Sequence, residues 1–133
     1  MLHKIVLGTA NFVKPYGILS NNSALGSTEI NLIMNYASQY NINTYDTAFA
    51  YGDFFSVIST QVKLNELKLI TKFSVLENFQ DIKDTIQRVR DLYHFENYYG
   101  VLIHDAANLH KIDKNKLLDF FECLRSEYHV QKV

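Results

Sequence analysis

Four side chains in this sequence carry the chemistry of a proton-transfer site: the Asp46 carboxylate, the Tyr51 phenol, the Lys72 ammonium and the His104 imidazole. Together they offer proton donors, proton acceptors and opposed charges, the ingredients of general acid–base catalysis. Each also has an ordinary explanation taken alone. An aspartate at a strand end caps turns, and a tyrosine beside a glycine packs in a loop. A strand-end lysine snorkels to water, and a His-Asp pair hydrogen-bonds locally. Only a common position in the fold would lift the four above those explanations.

The elements that must position them follow from hydrophobic spacing. Residues 3–9, "HKIVLGT", form a β-rich run closed by Gly8, and residues 11–26 read as a loop punctuated by Pro15 and Gly17. Ser27 has the character of an N-cap with Glu29 in the first turn. Ile30, Ile33, Met34 and Ala37 then recur at helical spacing over residues 28–40. A second strand spans Ile42 to Asp46. A second helix over 53–63 is marked by Phe54, Val57, Ile58 and Val62, and a third strand covers 67–73, "LKLITKF". Asn78 with Asp81 resembles a capping box, opening a helix over 79–94 through Ile82, Ile86, Val89 and Tyr93. A fourth strand covers 98–104, "YYGVLIH". Asp113 caps a fourth helix with the stripe Leu117, Phe121, Leu124 and Tyr128.

Four strand–helix alternations at this spacing predict right-handed crossovers and one parallel α/β sheet in the order 1-2-3-4. In such folds chemistry gathers at the carboxyl ends of the strands. Those ends are Gly8-Thr9, Asp46 with Tyr51 in the following loop, Lys72, and His104. Period-two alternation puts Asp46 in phase with Thr44, Lys72 with Ile70 and His104 with Leu102, so the polar ends would share one rim.

The ordered motifs "LGTANF", "INTYDTAFAYGD", "LITKFS" and "VLIHDA" resemble the aldo-keto reductase family, and the resemblance runs along essentially the whole chain. Its most specific part is the Asp-Thr-Ala element followed by Tyr51-Gly52. The resemblance implies an NAD(P)H-dependent carbonyl reductase built on a (β/α)8 barrel of the TIM type. NADPH would be the usual cofactor, with NADH an alternative. It implies Tyr51 as proton donor to the carbonyl oxygen of an aldehyde or ketone. Lys72 is the ammonium that makes the phenol a better acid, Asp46 the partner that holds Lys72, and His104 the donor that orients the oxygen. It also implies that backbone at Gly8 and Thr9, with the Asp46 side chain, approaches the nicotinamide ribose.

A (β/α)8 barrel takes about 250 residues, whereas 133 residues supply four units. The expectation is therefore the N-terminal half of a barrel, residues 1–133 forming a partial reductase domain truncated before strand five, which "HVQKV" would begin. By the family pattern, the groups that hold the cofactor phosphates belong to the other half, so little activity is expected of this chain alone. The open sheet edges and an uncovered inner face, with Ile5, Ile70 and Leu102 expected on it, call for a second copy or a complementing half-barrel. The competing reading is a non-catalytic half-barrel serving as an interaction module, or a decayed reading frame. Smaller departures from the pattern are Val13-Lys14 where a glycine is common, Asn41 at a turn, and Asp53-Phe54-Phe55 after the Tyr-Gly pair.

Composition adds exclusions. Net charge is −1 with signs mixed and no basic stripe, which argues against nucleic acid. No apolar run approaches membrane-spanning length. A single cysteine, Cys123, rules out an intrachain disulfide and falls in an apolar stripe as a buried structural thiol. A cytoplasmic setting is the expectation. Asp46, His104 and Asp105 as metal ligands are disfavoured by the lack of a closely spaced histidine pair and by Lys72 beside them. His3, His94, His110 and His129 read as surface or helix-end residues.

Overall fold

The computed structural model describes residues 5–17, 23–58 and 63–133. Its frame is a four-stranded parallel sheet in the order expected: β1 (Leu7–Gly8), β2 (Thr44–Asp46), β3 (Lys68–Phe73) and β4 (Tyr98–Ile103). The connecting helices are α1 (Ala10–Val13), α2 (Ser27–Gln39), α3 (Phe54–Ile58), α4 (Phe79–Tyr93) and α5 (Lys114–Ser126). This is the α/β half-barrel predicted from the sequence.

The register fixes which residues share a face. Gly8 pairs with Asp46, Asp46 with Ile70, Ile70 with Gly100 and Lys72 with Leu102. Neighbouring partners in a parallel ladder point the same way, so Asp46, Ile70, Lys72 and Leu102 lie on one face. Tyr45, Leu69, Thr71 and Phe73 point the other way and are buried beneath the helices. There they join Ile30 and Met34 of α2, Ile82, Ile86 and Val89 of α4, and Leu117 and Leu124 of α5 in one apolar core. The inner face has no such cover: Leu102 is 43% exposed and Val6 is 44% exposed. Val6, not Ile5, is in phase with Gly8 and Asp46. The expectation that Ile5 lines the inner face fails, because the register puts it in phase with Leu7.

Helix ends follow local chemistry. Asp113 accepts from the Asn115 and Lys116 amides, capping α5 as expected. Asn78 caps α4 by accepting from the Gln80 amide, without the reciprocal Asp81 bond of the expected capping box among the described residues. α2 starts one residue early: Gly26 is its cap, and the Glu29 carboxylate accepts the Gly26 N–H at 2.9 Å. Asn41, at the turn after that helix, takes a left-handed φ of 58°, which asparagine tolerates.

Several expectations need correction. The stretch 11–26 is not all loop, because Ala10–Val13 makes a helical turn that buries Phe12. The second helix is shorter than expected. It covers Phe54–Ile58, Lys63 is extended, and Val62 lies outside the described residues. In α5 the inward ring is Phe120, stacked on Phe79 at 4.1 Å, while Phe121 is half-buried and Tyr128 lies past the helix end. Cys123 is half-buried rather than buried, and desolvation pushes its thiol pKa up. His94, His110 and His129 are exposed, and His3 lies outside the described residues. Beyond α5, Lys132 bridges in parallel to Gly100, and the Val101 amide donates to the Lys132 carbonyl at 2.9 Å. The C-terminal residues thus meet the free edge of β4 through a single parallel bridge. Among the described residues no helix is long and apolar enough to cross a membrane.

Candidate active site

Asp46, Tyr51, Lys72 and His104 come together at the carboxyl rim of the sheet. Asp46 ends β2. Its backbone carbonyl accepts both the Thr9 amide and the Thr9 hydroxyl, each at 3.0 Å. Thr9 is fully buried, so the β1 end is locked to the β2 end and the Asp46 side chain is left to face the rim. The ladder runs on through the Thr47 amide, which donates to Ile70 at 2.8 Å.

Lys72 lies in the penultimate position of β3, one strand over. Its ammonium donates to the Asp46 carboxylate and, at 3.0 Å, to the Thr47 carbonyl. The Lys72 side chain is 18% exposed and that of Asp46 37%. The pair is shielded enough to be geometrically fixed, yet one edge of the carboxylate remains open.

Tyr51 reaches the site by a tight reversal. After Ala48 the chain makes a 3₁₀ turn over Phe49–Tyr51, and Gly52 follows at φ 112°. Glycine is required there on two counts. The positive φ disfavours any Cβ, and a Cβ would stand 2.9 Å from Val13 of α1. The Tyr51 ring ends 5.9 Å from the Lys72 ammonium and 6.0 Å from the His104 ring, which meets it edge-on at 86°. Among the described residues its hydroxyl has no hydrogen-bond partner, which leaves it free for a ligand. His104 follows β4, anchored by its amide to the Phe73 carbonyl at 2.8 Å.

Residues outside the expected four complete the surroundings. Lys14 Nζ lies 5.1 Å from the centre of the Tyr51 ring and donates to the Ala50 carbonyl at 3.1 Å. Tyr16 tilts against Tyr51 at 5.9 Å. Asp105 accepts from the Ser74 hydroxyl at 2.7 Å, the Asn108 amide at 2.8 Å and the Val75 N–H at 3.1 Å. Those bonds, the Ser74 hydroxyl first, hold its carboxyl below the usual aspartate range. Asp105 therefore ties the loop after β3 to the loop after β4. The departure at Lys14 was visible in the sequence, but its reach over Tyr51 depends on the unforeseen turn of α1. Among the described residues no three His, Cys, Asp or Glu side chains gather as a metal ion would require.

A pocket of about 310 Å³ adjoins the cluster, lined by Gly8, Thr9, Ala10, Asn11, Tyr16, Asp46 and Tyr51. Gly8 contributes bare backbone, with nothing within 4 Å of where a Cβ would stand. The partly exposed Asp46 carboxylate adds a hydrogen-bond acceptor beside that bare backbone.

No protein-family model and no curated protein matches the sequence. Solved structures do match. A crystal structure of a "putative aldo-keto reductase" from Pseudomonas aeruginosa aligns with TM-score 0.73 at 18% identity, over 95% of this chain and 52% of its own. A second structure of that description, also from Pseudomonas aeruginosa, aligns with TM-score 0.69 at 17% identity, over 95% of this chain and 51% of its own. The fold is thus that of an aldo-keto reductase half-barrel, and the chain spans about half the length of the structures it matches.

Proposed function

We propose that this chain supplies the acid–base half of an NAD(P)H-dependent carbonyl reductase. The observation that carries the reading is the meeting of Tyr51, Lys72, Asp46 and His104 at one rim, from three strand ends and one following turn. Tyr51 donates its proton to the carbonyl oxygen of an aldehyde or ketone. Lys72, held by Asp46 and the Thr47 carbonyl, places positive charge where the phenolate forms. His104 orients the same oxygen from beside the Tyr51 ring. Gly8 and Asp46 take the nicotinamide end of the cofactor, NADPH by preference and NADH otherwise. When bound, that cofactor supplies the hydride. NAD(P)H as reductant suits the cytoplasmic setting expected from the sequence.

On this reading residues 1–133 are a partial reductase domain, and the groups for the cofactor phosphates come from a complementing half-barrel. The experiment is reconstitution. The chain is mixed with the strand-five-to-eight half of the Pseudomonas protein and assayed for NADPH-dependent aldehyde reduction. Turnover should appear only in the mixture and fall by about 10²- to 10⁴-fold in Tyr51→Phe, the contribution typical of general acid catalysis. Equal turnover in the variant removes Tyr51 from the mechanism. The uncovered Val6 and Leu102 support a second reading, a half-barrel kept for association alone. It predicts tight pairing with no reduction.

A further inference from the structure

We propose that Lys14 makes this a site for carbonyl compounds that also bear a carboxylate: its ammonium holds the carboxylate while Tyr51 faces the carbonyl. The proposal rests on the carbonyl-reductase reading and adds the substrate class.

The charge count at the site carries it. Lys72 is met by the Asp46 carboxylate. Lys14 has no carboxylate within ion-pair distance among the described residues. Its protein partners there are both uncharged, the Ala50 carbonyl at 3.1 Å and the face of the Tyr51 ring. An ammonium has three donors, so two remain. The result is two cations against one anion around a single phenol ring, 5.9 Å and 5.1 Å from its centre. A lysine drawn only to water would extend outward. This one is half-buried and bent back over Tyr51.

The bend is built into the backbone. Val13, the preceding residue, packs so closely on Gly52 that a Cβ there would stand 2.9 Å from it. Tyr16, two residues after Lys14, closes on the Tyr51 ring at 5.9 Å. The loop carrying Lys14 is thereby clamped to the turn carrying Tyr51 on both sides. The adjoining pocket of about 310 Å³ has room for a small oxo acid. An unneutralised cation beside the Tyr51 ring favours an anionic ligand, and carboxylate–ammonium hydrogen bonds are among the stronger ones. A cofactor phosphate offers the same oxyanion chemistry, so the test separates the two.

The isotope-labelled chain is titrated with succinic semialdehyde, with its methyl ester, and with inorganic diphosphate, following the Lys14, Tyr51 and His104 side-chain signals. Succinic semialdehyde should shift all three and bind about tenfold more tightly than the ester. Lys14→Met should bring the acid down to the ester's affinity and leave the ester unchanged. Equal binding of acid and ester in the unsubstituted chain overturns the proposal. So does a Lys14→Met variant in which diphosphate is the ligand that loses most affinity. If both carbonyl compounds shift Tyr51 and His104 without regard to Lys14, the substrate class falls and the reductase reading stands. If neither compound touches Tyr51 or His104, both fall.

Discussion

Lys72 and Asp46 form an ion pair between adjacent strand ends, and the Lys72 ammonium reaches past the carboxylate to the Thr47 backbone carbonyl as well. The second bond ties the cation to the point where β2 turns toward Tyr51. Asp46→Asn should destabilise the chain by about 1–2 kcal/mol, since it strips a largely shielded ammonium of its counter-charge. Urea unfolding measures the loss. In the double variant with Lys72→Met much of it should return. Additive losses would mean that the two groups are not coupled.

Gly52→Ala should cost about 1–3 kcal/mol, from a side chain at positive φ and a clash with Val13. The Tyr51 ring signals should move, because α1 and the Tyr51 turn share that contact. Unchanged stability in the Gly52→Ala variant would show that the turn relaxes freely.

Asp105 sets a pH dependence. Its carboxyl is held below the ordinary aspartate range by Ser74, Asn108 and Val75. The folded-state pKa is thus lower than the unfolded one, so the unfolded chain takes up the proton first as pH falls. The contribution is complete above about pH 5 and is lost as the pH drops below about 4. Asp105→Asn should lower stability at neutral pH and flatten this acid limb. An unaltered acid limb in thermal unfolding at stepped pH would exclude Asp105 as its source.

Tyr98 presents the opposite case. It is 1% exposed, its hydroxyl has no partner among the described residues, and burial pushes its pKa up. The hydroxyl is desolvated without return, so Tyr98→Phe should be neutral or stabilising by about 1 kcal/mol. A clear loss of stability would reveal a hydrogen bond at that hydroxyl, with an ordered water in the cavity of about 380 Å³ that Tyr98 borders being the obvious partner.

The purified chain should self-associate. Val6 and Leu102 are exposed on the inner face, and β1 has no strand beyond it among the described residues. Sedimentation velocity should show a weight that rises with concentration. A compact monomer across the range would mean that the open face is tolerated in water.

Much of this architecture was legible in the sequence because its signals are local. Helical spacing in Ile82, Ile86 and Val89, caps at Asn78 and Asp113, and apolar strand cores each fix an element from neighbouring residues alone. The strand ends then name Asp46, Lys72 and His104, since alternation carries phase along a strand. Tertiary structure decided what depends on register and on close approach. Only the pairing of β1 with β2 puts Val6 rather than Ile5 on the inner face, because a shift of one residue reverses every side chain. Only the packing of α5 on α4 selects Phe120 over Phe121, two neighbours whose helical phases differ by about 100° and which the stripe alone separates poorly. The Tyr51 site shows the division most plainly. The sequence supplies a tyrosine beside a glycine, but the ring's place between Lys14, Lys72 and His104 comes from contacts that span residues 14 to 104. No local propensity encodes a distance between groups so far apart in the chain.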